Sequence, residues 1–419
     1  MTQEGHVARS EETRDVGLEP DRWGDLTLTG MPTWLPGGWR PQSVPDAGFA
    51  GELRARQQRL HRAVQADYDG IVTVKQPNIR YLTGYSTIAA GKAALLVTRD
   101  GAYLAVSESE LGRALMAPGV RGVHVFGWDE PVDIERWLRH SPYGSELRRV
   151  LCEWGEEVRA GDGGGQEGRG TRADVIDIQR LVTSEWEASC IRQAARATRA
   201  GVEAAVDKAG DDGTTDSQIA ATSIAAMISE SGYECPPIAV VGIDEGAGIP
   251  HSQWGRRSLQ PGSVAFIELS GGYDGYCAPV MRTIVRDPVP KDVVDLFSHV
   301  ESILDILCNS IKPGVRCSDV ARKCSGVLSD INGVLFHYNY GYPVGIFDGT
   351  PTWMNGAEFY ITTDNEGIFE PGMTFHLPIS LRRFGQYAVG QSQTVRVTDE
   401  GVEVMTGDVP SGLLHAPVQ

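Results

Sequence analysis

A few side chains stand in surroundings that ask for chemistry. Glu268 lies in the apolar run VAFIELSG, next to Phe266, Ile267 and Leu269. As a strand residue it carries a carboxylate into a core, which costs several kcal/mol unless the charge is paired. A planar amidinium or guanidinium guest matches that carboxylate in charge and shape, as arginine does; the internal alternative is an ion pair with Arg282 or another arginine. His251 follows Pro250 in the glycine-bearing loop GIDEGAGIPHSQW. An imidazole there can give a proton to a departing nitrogen and take one from water near neutral pH, with a solvent-exposed loop histidine as the bland alternative. His376, in GMTFHLPI, shares a strand face with Thr374 and Pro378 by simple alternation. It can orient a substrate or be a satisfied core histidine. Arg382 and Arg383, in SLRRFG, are candidate carboxylate binders. Cys277 has neighbours Tyr276, Ala278 and Pro279, none of which stabilises a thiolate.

Those residues need strands to hold them and helices to cover the strands. Leu53, Leu60 and Val64 recur at helical spacing and predict a helix from about Glu52 to Asp67. The runs GIVTV, AALLVT and AYLAVS read as strands of a small α/β domain ending near residue 180. Ser184 and Glu187 form a capping box that opens the next helix and marks entry to a second domain. Beyond it, a helix is expected over 216–231, a strand pair over 238–286, helices over 290–311 and 317–331, and strands to about 406. This order suggests an α+β layer in which antiparallel strands carry the site and helices cover their back. Residues 1–50 read as an irregular extension, with Trp23, Trp34 and Trp39 suited to docking. The stretch AGDGGGQEGRGTRAD, 160–174, reads as a flexible surface loop; it lacks the Lys-Ser/Thr ending of a phosphate-binding loop.

Composition narrows the partners. The chain has 419 residues and 41% hydrophobic content, enough for two cores. Its formal charge of −17 is spread along the chain, which argues against nucleic acid and anionic membrane, since both need clustered Lys and Arg. Seven cysteines without CxxC or CxxH spacing read as reduced thiols. There is no apolar leader and no run of about 18 apolar residues, so a cytoplasmic location is expected.

Several blocks occur in one order: NIRYLTGY, RLVTSEWEASCIRQAARATRAG, PHSQWGRRSLQPGSVAFIELSGGYDGYCAPVMRT, PGV, GYPVGI, FEPGMTFHLP and QTVRVTDEGVEVMT. Together they resemble the creatinase, prolidase and methionine aminopeptidase superfamily. The resemblance implies a small N-terminal α/β creatinase-like domain (51–180) followed by a C-terminal pita-bread domain (181–419), in a homodimer. Peptidases of that superfamily bind two divalent metals through Asp, His and Glu, ligands suited to activating water. Carried onto this chain, the ligand positions fall on Glu268, Pro279, Tyr342 and near Pro378 and Ser392. Proline has no side-chain donor, and a tyrosine with one carboxylate does not hold a dinuclear centre. The resemblance therefore points to a metal-free branch like creatinase and ectoine hydrolase, with no cofactor.

In that branch the implied activity is hydrolysis of a non-peptide C–N bond in a small amidine, guanidine or cyclic amide that is cationic or zwitterionic. Glu268 is then nucleophile or cation stabiliser, His251 the proton shuttle, and His376 a third catalytic group. Tyr342, Trp254 in PHSQW, Trp353 downstream of GYPVGI, Arg382, and Lys92 in STIAAGKAALLV are the implied substrate-binding residues. The rivals are a lyase, dehydratase or cyclase using the same Glu/His pair, and a binding protein that has lost catalysis.

Overall fold

The computed structural model describes residues 47–87, 93–126, 132–140, 147–154, 157–158, 174–236, 239–329, 331–347, 354–355 and 358–417. The chain divides into two compact units between Ile176 and Asp177. Lys92, Trp353, residues 1–46 and nearly all of the glycine-rich stretch lie outside the described residues.

The first unit contains α1 (Ala47–Val64), β1 (Gly70–Thr73), α2 (Gln76–Thr83), β2 (Ala93–Thr98), β3 (Gly101–Ser107), α3 (Leu111–Met116), β4 (Gly122–Phe126), α4 (Ile134–His140), β5 (Val150–Cys152) and β6 (Glu157–Val158). Its strands form one mixed sheet in the order β4-β3-β2-β1-β5-β6. β1 and β2 are buried along their whole length, which is why they read as continuous apolar runs without alternation. The first helix ends at Val64, not Asp67, because the Asp67 N–H turns back to donate to the Val64 carbonyl at 3.1 Å.

The second unit opens with the short α5 (Val175–Gln179), which spans the division, and continues through α6 (Glu185–Ala209), α7 (Asp216–Ser231), β7 (Val240–Ile243), β8 (Val264–Tyr273) and β9 (Tyr276–Val285). Then follow α8 (Lys291–Ser310), α9 (Cys317–Leu328), β10 (Tyr342–Pro343), β11 (Thr374–Arg383), β12 (Tyr387–Val397), β13 (Val402–Val404) and β14 (Leu413–His415). The expected capping box is present: the Glu187 N–H donates to Ser184 Oγ, and the Ser184 N–H donates to the Glu187 carboxylate.

Two four-stranded sheets result, β14-β9-β8-β7 and β10-β11-β12-β13. Alternation sorts their residues. Ala265, Ile267 and Leu269 of β8 join the core beneath α6 and α7, and Phe375, Leu377, Ile379 and Leu381 of β11 join the core beneath α8 and α9. The residues between them, Phe266 and Glu268 on β8, and His376, Pro378, Ser380 and Arg382 on β11, face the other way.

The two sheets meet at β9 and β12 without a backbone ladder. Side chains bridge the seam instead: Thr283 Oγ1 donates to the Gly390 carbonyl at 2.9 Å, the Gly390 N–H donates to Thr283 Oγ1 at 2.8 Å, and Thr394 Oγ1 donates to the Pro279 carbonyl at 2.9 Å. This seam makes one floor of two sheets and brings β8 and β11 to either side of it.

Gly271 in β8 sets the distance to α6. A Cβ there would stand 2.5 Å from the Ala194 carbonyl oxygen and 2.5 Å from the Ala197 Cβ, so any side chain must push the helix off the sheet. Gly271→Ala is expected to lower unfolding free energy by about 1–3 kcal/mol through overpacking, and Ser184→Ala by about 1 kcal/mol through loss of the cap. Urea unfolding of both variants checks this.

Candidate active site

The floor carries a cavity of about 380 Å³. Glu268 and Met281 line it from β8 and β9, Tyr342 from β10, Pro378, Ser380 and Arg382 from β11, and His251 and His337 from loops. A larger cleft of about 670 Å³ lies along α6, but two of its three arginines are paired across open surface, Arg192 with Glu403 at 2.7 Å and Arg199 with Glu203 at 2.7 Å. The smaller cavity gathers Glu268, His251, Tyr342 and Arg382.

Glu268 is 6% exposed and forms no hydrogen bond or ion pair among the described residues. Burial pushes its carboxyl up to about 7, with the positive charge of Arg382 acting in the opposite direction. The internal alternative does not form: Arg282 gives its N–H groups to the carbonyls of Met281 and Ser392, both at 2.7 Å, and to that of Pro410. Arg382 is 7% exposed. It donates to the Ala247 carbonyl at 2.5 Å and lies over the Phe266 ring, 4.6 Å from its centroid.

His251 sits in a turn at φ 56°, in the left-handed region, where histidine is among the residues that adopt it most readily. This turn places it on the cavity rim. His337 is also at the mouth, and its ring is held down to about 4 by loss of water around it, then by the positive charge of Arg382.

His376 stands behind the wall instead of lining it. It is fully buried, with Nδ1 2.8 Å from the Tyr342 hydroxyl and Nε2 2.6 Å from Ser392 Oγ. Ser392 Oγ also accepts the Met281 N–H at 2.5 Å. Burial, then Arg282 and His337, hold His376 down to about 3; it is a neutral orienting group.

Of the residues expected from sequence, the fold brings together Glu268, His251, Tyr342 and Arg382. Trp254 lies 38% exposed in its loop and is not on the cavity wall. Lys92 and Trp353 fall outside the described residues. Sequence reading missed His337 and Ser380. Ser380 is two residues from Pro378 and Arg382, so alternation along β11 was a signal for it; His337 had none, because its loop carries no periodicity. Cys277 is buried with its thiol pushed up to about 12 by burial, and it is no nucleophile.

The sequence profile of metallopeptidase family M24 matches residues 189–400, and that of the creatinase/prolidase N-terminal domain matches residues 56–154. An uncharacterized hydrolase/peptidase, y4tM, of Sinorhizobium fredii is 30% identical over 236 residues, covering 55% of this chain and 59% of its own. A probable dipeptidase, PepE, of Mycobacterium bovis is 26% identical over 247 residues, covering 58% and 63%. The matched part thus spans less than two thirds of either relative. The structure of a Xaa-Pro dipeptidase from Bacillus anthracis superposes with a TM-score of 0.71 at 17% identity, over 87% of this chain and 99% of that one, which shows the shared fold.

These relatives overturn the reaction expected from sequence. Two of them are named dipeptidases and the third a hydrolase/peptidase, whereas the ectoine hydrolase of Halomonas elongata matches over 181 residues, 42% of this chain. Hydrolysis of a non-peptide amidine or guanidine bond, and with it the lyase and binding-protein alternatives, is set aside: short motif blocks record how loops approach the sheet and do not carry the reaction class.

The family name implies metal ions, and the described residues do not fit them. Among these residues no cluster of three or more His, Cys, Asp or Glu is placed to hold an ion. Pro279 and Pro378 offer no side-chain donor, and the Ser392 and Tyr342 hydroxyls are bound to His376.

The raised Glu268 carboxyl gives stability a pH dependence of definite sign. Between 4.5, its ordinary value, and about 7 the folded protein keeps a proton that the unfolded chain has lost. Glu268 therefore weakens folding as pH rises through that window, and the loss is complete above it. Glu268→Gln removes the ionisation: the variant is expected to match wild type at pH 4 and to exceed it at pH 8 by up to roughly 3 kcal/mol. Urea unfolding at the two pH values measures the difference.

Proposed function

The chain belongs to metallopeptidase family M24, and from that premise we propose that it hydrolyses the amide bond of a short, peptide-like substrate held in the cavity around Glu268. The observation that carries this reading is a buried carboxyl, unpaired among the described residues, on the wall of the cavity in the sheet floor, where burial pushes it up to about 7. The cavity volume falls within the range of small-molecule sites, and Met281, Phe336 and Pro378 give it an apolar wall.

Amide hydrolysis adds water across the C–N bond. Glu268 as carboxylate takes a proton from the attacking water and passes it to the departing nitrogen, so that oxygen joins the carbonyl carbon as the C–N bond breaks. The carbonyl oxygen gains negative charge on the way and needs a donor. Tyr342, whose phenol lines the cavity, is the group assigned to that oxygen. His251 on the rim is the second group able to exchange protons with solvent.

The test is a panel of short peptides, Xaa-Pro dipeptides included, incubated from pH 5 to 9 with and without added manganese, with released amino acids read by mass spectrometry. Wild type is expected to release product at a rate that climbs with pH through about 7, and Glu268→Gln to lose at least about a hundredfold. Cleavage of none of the peptides, or undiminished turnover by Glu268→Gln, rules the reading out.

A further inference from the structure

We propose that the cleft between the outer face of α6 and the segment Glu403–Val409 is a second binding site, separate from the cavity in the sheet floor, for a short peptide whose amino and carboxyl ends are both free. The proposal goes beyond the hydrolase reading and does not depend on it.

Arg192, Arg196, Arg199 and Glu203 recur at helical spacing and make one stripe along α6, while Ala194 and Thr198 of the same helix face β8. The wall across from the stripe leaves β13 and is braced from behind. Thr406 Oγ1 donates to Gln393 Oε1 at 2.6 Å and accepts the Thr394 N–H at 2.9 Å; Arg282 donates to the Val409 carbonyl at 3.5 Å and to that of Pro410. The cleft is therefore preformed. At about 670 Å³ it has room for roughly two or three residues of peptide.

Its charges are only partly spent. Arg192 pairs with Glu403 and Arg199 with Glu203, both at 2.7 Å. Arg196, between them in the stripe, reaches Gln193 Oε1 at 3.5 Å and forms no ion pair among the described residues. Glu230, in the last turn of α7, and Asp408, on the braced wall, form no hydrogen bond or ion pair among the described residues. What is left over is one guanidinium with carboxylates on two other elements, and that pattern selects the guest. A simple anion meets four acids against three arginines. A metal ion finds no cluster of three or more acids, His or Cys among the described residues. A peptide with free ends answers both signs: its carboxylate accepts paired N–H bonds from the Arg196 fork, and its ammonium donates to Glu230 or Asp408. Val404, Met405 and Val409 give its side chains apolar contact. Arg196, Glu230 and Asp408 are all exposed, so each end of the guest adds a few-fold in affinity and not orders of magnitude.

Trialanine, N-acetyl-trialanine and trialanine amide, titrated into the intact chain carrying Glu268→Gln, test the site on a protein that in the hydrolase reading does not turn the peptide over. Trialanine is expected to bind at least about threefold more tightly than either capped form, with the difference shrinking at high salt. Arg196→Gln should erase the advantage over the amide and keep that over the N-acetyl form; Glu230→Gln with Asp408→Asn should do the reverse. Modification by phenylglyoxal, read by peptide mass spectrometry, gives the location: trialanine should shield Arg196 and leave the exposed Arg54 as reactive as before. Capped and free peptides bound alike, an advantage over the amide that survives Arg196→Gln, or an Arg196 that reacts as fast with trialanine as without overturns the proposal. So does shielding of Arg196 that grows with protein concentration in the absence of peptide, which puts a second copy of the chain in the cleft. The two readings fail separately, the hydrolase on turnover by wild type and the second site on binding by a chain without it.

Discussion

An ionisable carboxyl buried next to a buried guanidinium, with no bond between them, is the constraint from which the rest of the second unit takes its meaning. Two such groups in contact would neutralise each other and form a structural ion pair. Held apart across a cavity, each keeps a desolvated charge that a guest can satisfy, and the carboxyl acquires a proton affinity suited to neutral pH. The fold maintains the separation by rigid means: Glu268 sits in the middle of β8, between β7 and β9, and Arg382 is tied to Ala247 and stacked on Phe266.

The seam between the two sheets supplies that rigidity. Where β9 and β12 meet, threonine and serine hydroxyls take the place of ladder hydrogen bonds, and Pro279, which has no N–H to give, contributes only its carbonyl. The same seam positions Ser392, and through it the neutral His376 and the Tyr342 hydroxyl. Of the positions that the superfamily resemblance marks as metal ligands, Tyr342 and Ser392 are bonded to His376, Pro279 and Pro378 carry no side-chain donor, and Glu268 is the one carboxylate. A dipeptidase-like fold thus surrounds a cavity whose charge pattern is organic, one carboxyl and one guanidinium, with imidazoles at the rim.

Much of the architecture was legible in the residues. The Ser184–Glu187 box announced α6 because both halves of a reciprocal cap lie within one turn. The strands announced themselves by apolar runs and alternation. Glu268 stood out because a carboxylate inside an apolar run demands an explanation, and Arg382 as one of two adjacent cations in SLRRFG. Trp254 is not among the residues of the cavity wall, since a tryptophan in a motif block carries no information on which way its loop faces. His376 was visible as a strand residue, but its place behind the wall was not.

Local order along the chain determined the elements, the two-part organisation of α/β then α+β, and which residues of each strand share a face, because those properties depend on neighbours within a few positions. Tertiary structure alone decided that Arg282 spends its donors on carbonyls while Arg382 lines the cavity, that His337 lines it too, and that His376 is bonded to Tyr342 and Ser392 behind the wall. Those outcomes depend on contacts between strands far apart in sequence, where a difference of one position in register or a hydroxyl at the seam decides which polar group is left without a partner.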